Sequence, residues 1–352
     1  MRLGLRYDMR SPAVGVAGSR LWQAVVDQCV WADGLGAETV LLGEHHGDVD
    51  GYNPSPMLLA AAILGSTERI SVHLSALVAP LHDPVRLAED LAVLSLLGGG
   101  RVEVTLAIGY RPHEYVMFGV DRADRRRLLD ETVNVLAAAW RGEAFEYDGR
   151  GVLVRPLPEA AALPRVHLGG STERAAREVA RAGLGFRPGI PELWDVYADE
   201  LLRLGRAVPD RPPVSGPAFL FVTDDPDRDL ARLAPNLLDA TNTYAEWALE
   251  RGAGSTKYRE VSDPAELAAR GFRVVTPAGC VELAEQLGPD GELRFHPLMG
   301  GIDPDLAWAG LRRFEDAVLP ELEARGLRDP RARVAGDRRH HPAAVPSQTK
   351  EA

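Results

Sequence analysis

Short apolar runs alternate with helix-period segments from residue 2 onward, and this alternation constrains the fold more than any other feature of the chain. RLGLRY (2–7) precedes LWQAVVDQCVWADGL (21–35), and TVLLG (39–43) precedes PMLLAAAILGSTE. ISVHLSAL (70–77) precedes PVRLAEDLAVLSLL, and VEVTLAI (102–108) precedes RRRLLDETVNVLAAAW. Regular β-then-α units mean parallel strands with crossover helices, in either a closed barrel or an open doubly wound sheet.

The strand count separates the two. RVHLG (165–169), LGFRP (184–188), AFLFVT (218–223) and LRFHPLM (293–299) bring the total to eight, which favours an α/β chain folded as a (β/α)8 TIM barrel. Two insertions are expected. One follows strand four, at 141–165, with a hairpin turn at Asp148-Gly149. The other lies between strands seven and eight, about 224–292, and reads as extra helices plus a lid around RGAGSTKYREVSD (251–263). The barrel domain covers 1–326, and the aperiodic stretch 327–352, which contains His340 and His341, reads as a disordered tail.

A hydrophobic content of 45% gives a chain of 352 residues ample core without staples. The net charge of −11 argues against nucleic-acid or anionic-membrane partners, which need clustered positive potential. Cys29 and Cys280 fit no metal-ligand spacing. With neither an apolar secretory leader nor a long apolar run, the expectation is a cytoplasmic protein.

In a parallel barrel, ligands bind at the carboxyl ends of the strands. Glu44-His45-His46 directly follows TVLLG and is therefore the leading candidate site. Adjacent histidines can ligate a metal, move protons or simply face the rim. Neighbours on an extended chain point opposite ways, which counts against a shared metal. A histidine titrates near neutrality, and a carboxylate nearby can fix its tautomer.

The segment from Glu44 to Val104, with its EHH, NPSPMLLAA, HDPVRLAED and GGGRVEV pieces, resembles the bacterial luciferase-like monooxygenases. The likeness continues through GYRPHEYVMFGVD (109–121), VHLGGS (166–171), VVTPAGCVELAEQL (274–287) and FEDAVLPEL (314–322). It implies a flavin-dependent monooxygenase that takes reduced FMN (FMNH2) and O2, forms a flavin hydroperoxide and oxygenates a small organic substrate. A separate flavin reductase supplies the reduced cofactor, because no G-x-G-x-x-G turn marks a dinucleotide site, and a homodimer is implied.

By the same resemblance His45 is the catalytic acid or base, with Glu44 supporting it. Ser75 and Ala76 match a pair joined by a non-proline cis peptide beneath the flavin ring. Gly170, Ser171 and Thr172, at the start of a helix, are expected to bind the phosphate, although helix capping alone explains Ser171 and Thr172 equally well. Gly109 and Arg111 stand near the family's phosphate arginine, but Arg111 is displaced by three residues and Ile108 takes the matching place. Ser95 replaces an aspartate usual before the Gly-Gly-Arg turn.

Tyr7, Tyr110 and Met299 follow strands one, four and eight and are candidate substrate contacts, together with Asp8 and His113. His73, His82 and His296 read as structural. Two rival functions stay open: hydride transfer with the deazaflavin F420, and a non-catalytic flavin-binding protein or subunit of a heterodimer. F420 enzymes of this kind commonly carry Asp-His where this chain has Glu44-His45-His46, which favours FMN.

Overall fold

The structure, a computed structural model, describes residues 1–250 and 259–329. Seven parallel strands form one curled sheet: β1 (Arg2–Tyr7), β2 (Thr39–Leu42), β3 (Ser71–Val78), β4 (Val102–Ala107), β7 (Arg165–Gly170), β8 (Gly185–Pro188) and β11 (Glu292–Phe295). Their order is β11-β1-β2-β3-β4-β7-β8. Between β4 and β7, β5 (Phe145–Tyr147) and β6 (Arg150–Val152) make the expected antiparallel hairpin. Its turn residues Asp148 and Gly149 both have positive φ, the geometry that matches the twist of the flanking strands.

β9 (Phe219–Val222) pairs in parallel with β10 (Phe272–Val275), a strand absent from the sequence-based count. The chain just before β9 meets the sheet edge, where the Gly216 amide donates to Glu292 O of β11 at 2.7 Å. The segment FRVV is short and half-buried, so neither length nor alternation marks it from sequence.

Helices α1 (Gly18–Gly34), α2 (Pro56–Ser66), α3 (Pro84–Gly98), α4 (Pro112–Met117), α5 (Arg125–Ala139), α6 (Glu173–Ala182), α7 (Leu193–Arg203), α8 (Pro226–Glu250), α9 (Pro277–Leu287), α10 (Pro304–Arg313) and α11 (Leu319–Ala324) complete the fold. Local chemistry sets many of their starts. Asp83, Thr172, Thr276 and Asp303 each accept a backbone N–H in the first turn of their helices. At the end of α3, Gly99 sits at φ +57, and Arg101 then turns back to bond Ile70 O, Leu64 O and Thr67 O, each at 2.9 Å. The Gly-Gly-Arg turn is thus a staple between α2, α3 and the start of β3. Ser95, at the position where an aspartate is usual in the family this chain resembles, donates to Ala162 O.

Period-two alternation decides which strand residues meet the helices. Leu3, Leu5 and Tyr7 of β1 are buried in the main core, and the Tyr7 hydroxyl donates to Gln28 of α1 at 2.9 Å. Tyr7 therefore belongs to the strand–helix layer, and its expected substrate contact is not what the structure shows. On β3, β4, β7 and β8 a set of polar side chains interlocks. His73 bonds Thr105 Oγ1 at 2.8 Å, while Glu103 is shared by His167 at 2.7 Å and Arg187 at 2.6 Å. Burial pushes the His73 imidazole down to about 3, so it serves as a neutral, satisfied internal histidine, as the sequence suggested.

The region from 327 was expected to lack order, yet Arg328 is buried and donates to Leu35 O and Gly36 O. Positions 330–352, with His340 and His341, and the stretch 251–258 lie outside the described residues. Among the described residues no helix is long and apolar enough to cross a membrane.

Gly310 of α10 tests the helix–strand fit. A Cβ there would sit 2.7 Å from two ring carbons of Phe221 in β9. Alanine gains up to about 1 kcal/mol of helix propensity, but overpacking a rigid ring costs about 1–3 kcal/mol. Gly310→Ala is therefore expected to lower the urea midpoint; an unchanged or raised midpoint contradicts this packing.

Candidate functional site

Glu44, His45 and His46 follow the carboxyl end of β2, with the His46 side chain turned toward Glu44 and the His45 side chain toward Glu114. All three are buried, with Glu44 at 3% and His45 at 9% exposure. They divide between two carboxylates. Glu114, in α4, accepts from the His46 backbone N–H at 3.0 Å and lies 2.8 Å from His45 Nδ1. Glu44 instead reaches His82 Nε2 at 2.8 Å and His46 Nε2 at 3.3 Å, and accepts from the Val78 amide at the end of β3.

This corrects the expected pairing: Glu44 does not support His45. Glu44 ties the end of β2 to the end of β3, and Glu114 holds His45. Burial alone would raise the Glu44 carboxyl, but the close approach of His46, the hydrogen bond and charge of His82 and the Val78 amide bring it to about 2. Burial also works against a charged His82, and Glu44 overcomes it, raising His82 above its ordinary value.

Aromatic rings enclose His45. Tyr52 packs edge-on with centroids 4.8 Å apart, Tyr110 at 5.4 Å, and Trp247, from the last turn of α8, at 4.6 Å. The Tyr110 hydroxyl lies 3.4 Å from His45 Nε2, the ring nitrogen opposite Glu114. Tyr110, a candidate substrate contact in the sequence, is thus brought to His45. Met299 is buried within the main core after β11.

Trp247 is gripped by cations. Arg111 and Arg10 place their guanidinium carbons 4.0 and 4.5 Å from its ring centroid. Arg111 in turn pairs with Asp48, and Arg10 lies 3.1 Å from Asp50. Arg111 is therefore no surface charge: it is buried and engaged by Asp48 and the indole. Nothing in the local pattern of α8 singles out Trp247, and Glu114 lies 69 positions from His45 in the chain; only the fold brings these residues together.

The remaining predicted residues fall at strand ends. The Ser75–Ala76 peptide is cis, as the resemblance implied, and the β3–β4 register shifts there. Gly109 follows β4 at φ +65, where a Cβ would lie 2.6 Å from Val78 Cγ1, so the backbone itself requires glycine. Gly170 ends β7, and Ser171 is exposed. Thr172 caps α6 by accepting from the Ala175 amide at 3.2 Å, so the capping role is observed.

The mouth also holds buried polar atoms with no hydrogen-bond partner among the described residues. They include Asp8 Oδ2 and His296 Nε2, which lie 3.5 Å apart, together with His296 Nδ1, Asn53 Nδ2 and Glu114 Oε2. The Arg10 nitrogens join them, since Asp50 lies close but off the line of a hydrogen bond. Such groups are costly unless a ligand or water meets them. Orphaned donors and acceptors of this kind are what a ligand with a polar edge would satisfy.

The sequence profile described as luciferase-like monooxygenase matches residues 1–287. The 4-hydroxyprotoasukamycin monooxygenase of Streptomyces nodosus subsp. asukaensis is 27% identical over 252 residues, covering 66% of this chain and 67% of that one. The oxygenase component of the flavin-dependent trigonelline monooxygenase of Acinetobacter baylyi is 26% identical over 151 residues, 42% of either chain. This chain thus spans 42 to 67% of the length of these curated relatives. The fold is similar to that of the oxygenating constituent of 3,6-diketocamphane monooxygenase from Pseudomonas putida, solved with FMN. That comparison has a TM-score of 0.71 and 19% identity, over 91% of this chain and 99% of that one.

The Glu44 cluster sets a pH dependence. A depressed carboxyl stabilises the fold above its ordinary value of 4.5, and the contribution is lost as pH falls toward about 2. A raised histidine contributes fully below 6.5, and its contribution fades as pH rises through its folded value. The urea-midpoint difference between wild type and Glu44→Gln should therefore peak between about 4.5 and 6.5 and shrink toward pH 2. A difference that stays flat down to pH 2 would contradict the assignment.

Proposed function

Because the chain belongs to the luciferase-like monooxygenase family, we propose that it is a flavin-dependent monooxygenase acting on a small organic substrate. Reduced FMN and O2 enter at the mouth of a (β/α)8 barrel; one oxygen atom is transferred to the substrate and the other leaves as water. When bound, the flavin supplies the electrons and the oxygen-activating chemistry. A separate reductase delivers it reduced, a reading supported by relatives described as an oxygenase component and an oxygenating constituent. The working unit is a homodimer.

The observation that carries this reading is His45, buried at the strand ends with Nδ1 against Glu114 and Nε2 toward Tyr110. It takes up and returns a proton at Nε2. Ser75 and Ala76 would hold the flavin ring, next to Gly43, where a Cβ would come 3.6 Å from Ser75 O. Gly109 lets the backbone after β4 pass close by. Gly170, Ser171 and the start of α6 receive the phosphate, with Thr172 holding the helix cap. Asp8, Asn53 and His296 offer buried polar atoms to the ligand. Tyr52 and Trp247 exclude water from His45.

Oxygen uptake with chemically reduced FMN tests the reaction. Substrate-stimulated consumption above the free-flavin background is expected. Background consumption together with tight F420 binding would replace this reading by hydride transfer. His45→Ala should keep FMN binding yet lose roughly 10²- to 10⁴-fold in turnover; wild-type turnover in that variant would remove His45 from the chemistry.

A further inference from the structure

We infer that Glu114 is the positioning residue of this site: it locks His45 in the tautomer with hydrogen on Nδ1, leaving Nε2 as the nitrogen that exchanges protons with the ligand. The inference rests on the reading of His45 as the acid/base, and it adds the group that makes His45 directional.

The argument is one of donors and acceptors. Glu114 Oε1 faces two nitrogens, His45 Nδ1 at 2.8 Å and the His46 backbone N at 3.0 Å. A backbone N–H can only donate, so Oε1 must be an acceptor there. A carboxylate oxygen has no hydrogen to give, so Oε1 accepts from both nitrogens and Nδ1 holds the imidazole hydrogen. Nε2 then presents its lone pair on the side of the Tyr110 hydroxyl, 3.4 Å away.

The carboxylate is itself held in place. Glu114 is fully buried in α4, and its neighbour His113 bonds His46 O at 2.8 Å, tying α4 to the chain after β2. Gly47 permits the approach: at φ +71, an added Cβ would lie 3.2 Å from Met117 Sδ. Tyr52 and Trp247 fix the ring plane from other sides. In the proton step, a ligand X–H bond breaks, Nε2–H forms, and the imidazolium charge is balanced by Glu114. The same proton returns to the leaving oxygen, so His45 ends unchanged and no electrons pass through it.

Imidazole 15N spectroscopy of the ligand-free protein, with the His45 signals assigned by their loss in His45→Ala, reads the tautomer without any turnover. The spectrum is expected to show a protonated Nδ1 and an unprotonated Nε2 at alkaline pH. Hydrogen on Nε2 would overturn the assignment. In Glu114→Gln, which can still accept both hydrogen bonds but carries no charge, the tautomer should persist and FMN affinity should stay within about twofold. Turnover should nevertheless fall roughly 10- to 100-fold. Wild-type turnover in Glu114→Gln would also overturn the proposal, as would a proportionate loss of FMN affinity, which marks a purely structural carboxylate. A correct tautomer in a protein that consumes no oxygen would refute the monooxygenase reading while leaving Glu114 as the residue that orients His45.

Discussion

Two carboxylates with almost no exposure, Glu44 and Glu114, stand on opposite sides of one short stretch of backbone, and the mouth of the sheet is organised by the need to satisfy both. A buried carboxylate must find donors or forfeit its solvation. Glu44 finds His46, His82 and the Val78 amide, which fixes where β3 ends relative to β2. Glu114 finds His45 and the His46 amide, which fixes where α4 lies. The adjacent histidines thus have unrelated partners: His46 helps knit the scaffold through Glu44, while His45 sets Nδ1 against Glu114 and Nε2 toward Tyr110.

Buried ion pairs beside this centre secure its cover. The loop after β2 supplies Asp48 and Asp50, which engage Arg111 and Arg10, and both guanidiniums press on Trp247. The C-terminal end of α8 is thereby fastened over His45 by contacts that combine cation–π attraction with buried ion pairs. Beneath it, the paired polar residues on β3, β4, β7 and β8 hold those strands through side chains as well as backbone ladders.

Much of this was legible in the chain. Strands that are buried on both faces read as apolar runs, so β1 to β4 and their helices stand out, and the strand-end rule then points to Glu44-His45-His46. The Asp148-Gly149 turn and the cis Ser75–Ala76 peptide were also anticipated, the first from turn chemistry and the second from resemblance. What escaped is what depends on direction or distance. Tyr7 ends a strand at the right height but points at α1, and one residue's shift in a period-two pattern decides that. Glu44 is next to His45 in sequence, and for that very reason it faces away. Glu114 and Trp247 come from α4 and α8, and no local periodicity connects either with β2. Thr172 shows the opposite limit: capping and phosphate binding use the same residue type at the same place.

The central claim is that His45, held by Glu114 at the strand ends, is where the cofactor reacts. The most direct measurement is a crystal structure with FMN bound. The account predicts the isoalloxazine against the Ser75–Ala76 peptide, its reactive edge within hydrogen-bond reach of His45 Nε2 directly or through one water, and the Glu114–His45 contact intact. A flavin bound away from this mouth, or one facing Glu44 and His82 with His45 still sealed behind Trp247, would contradict it.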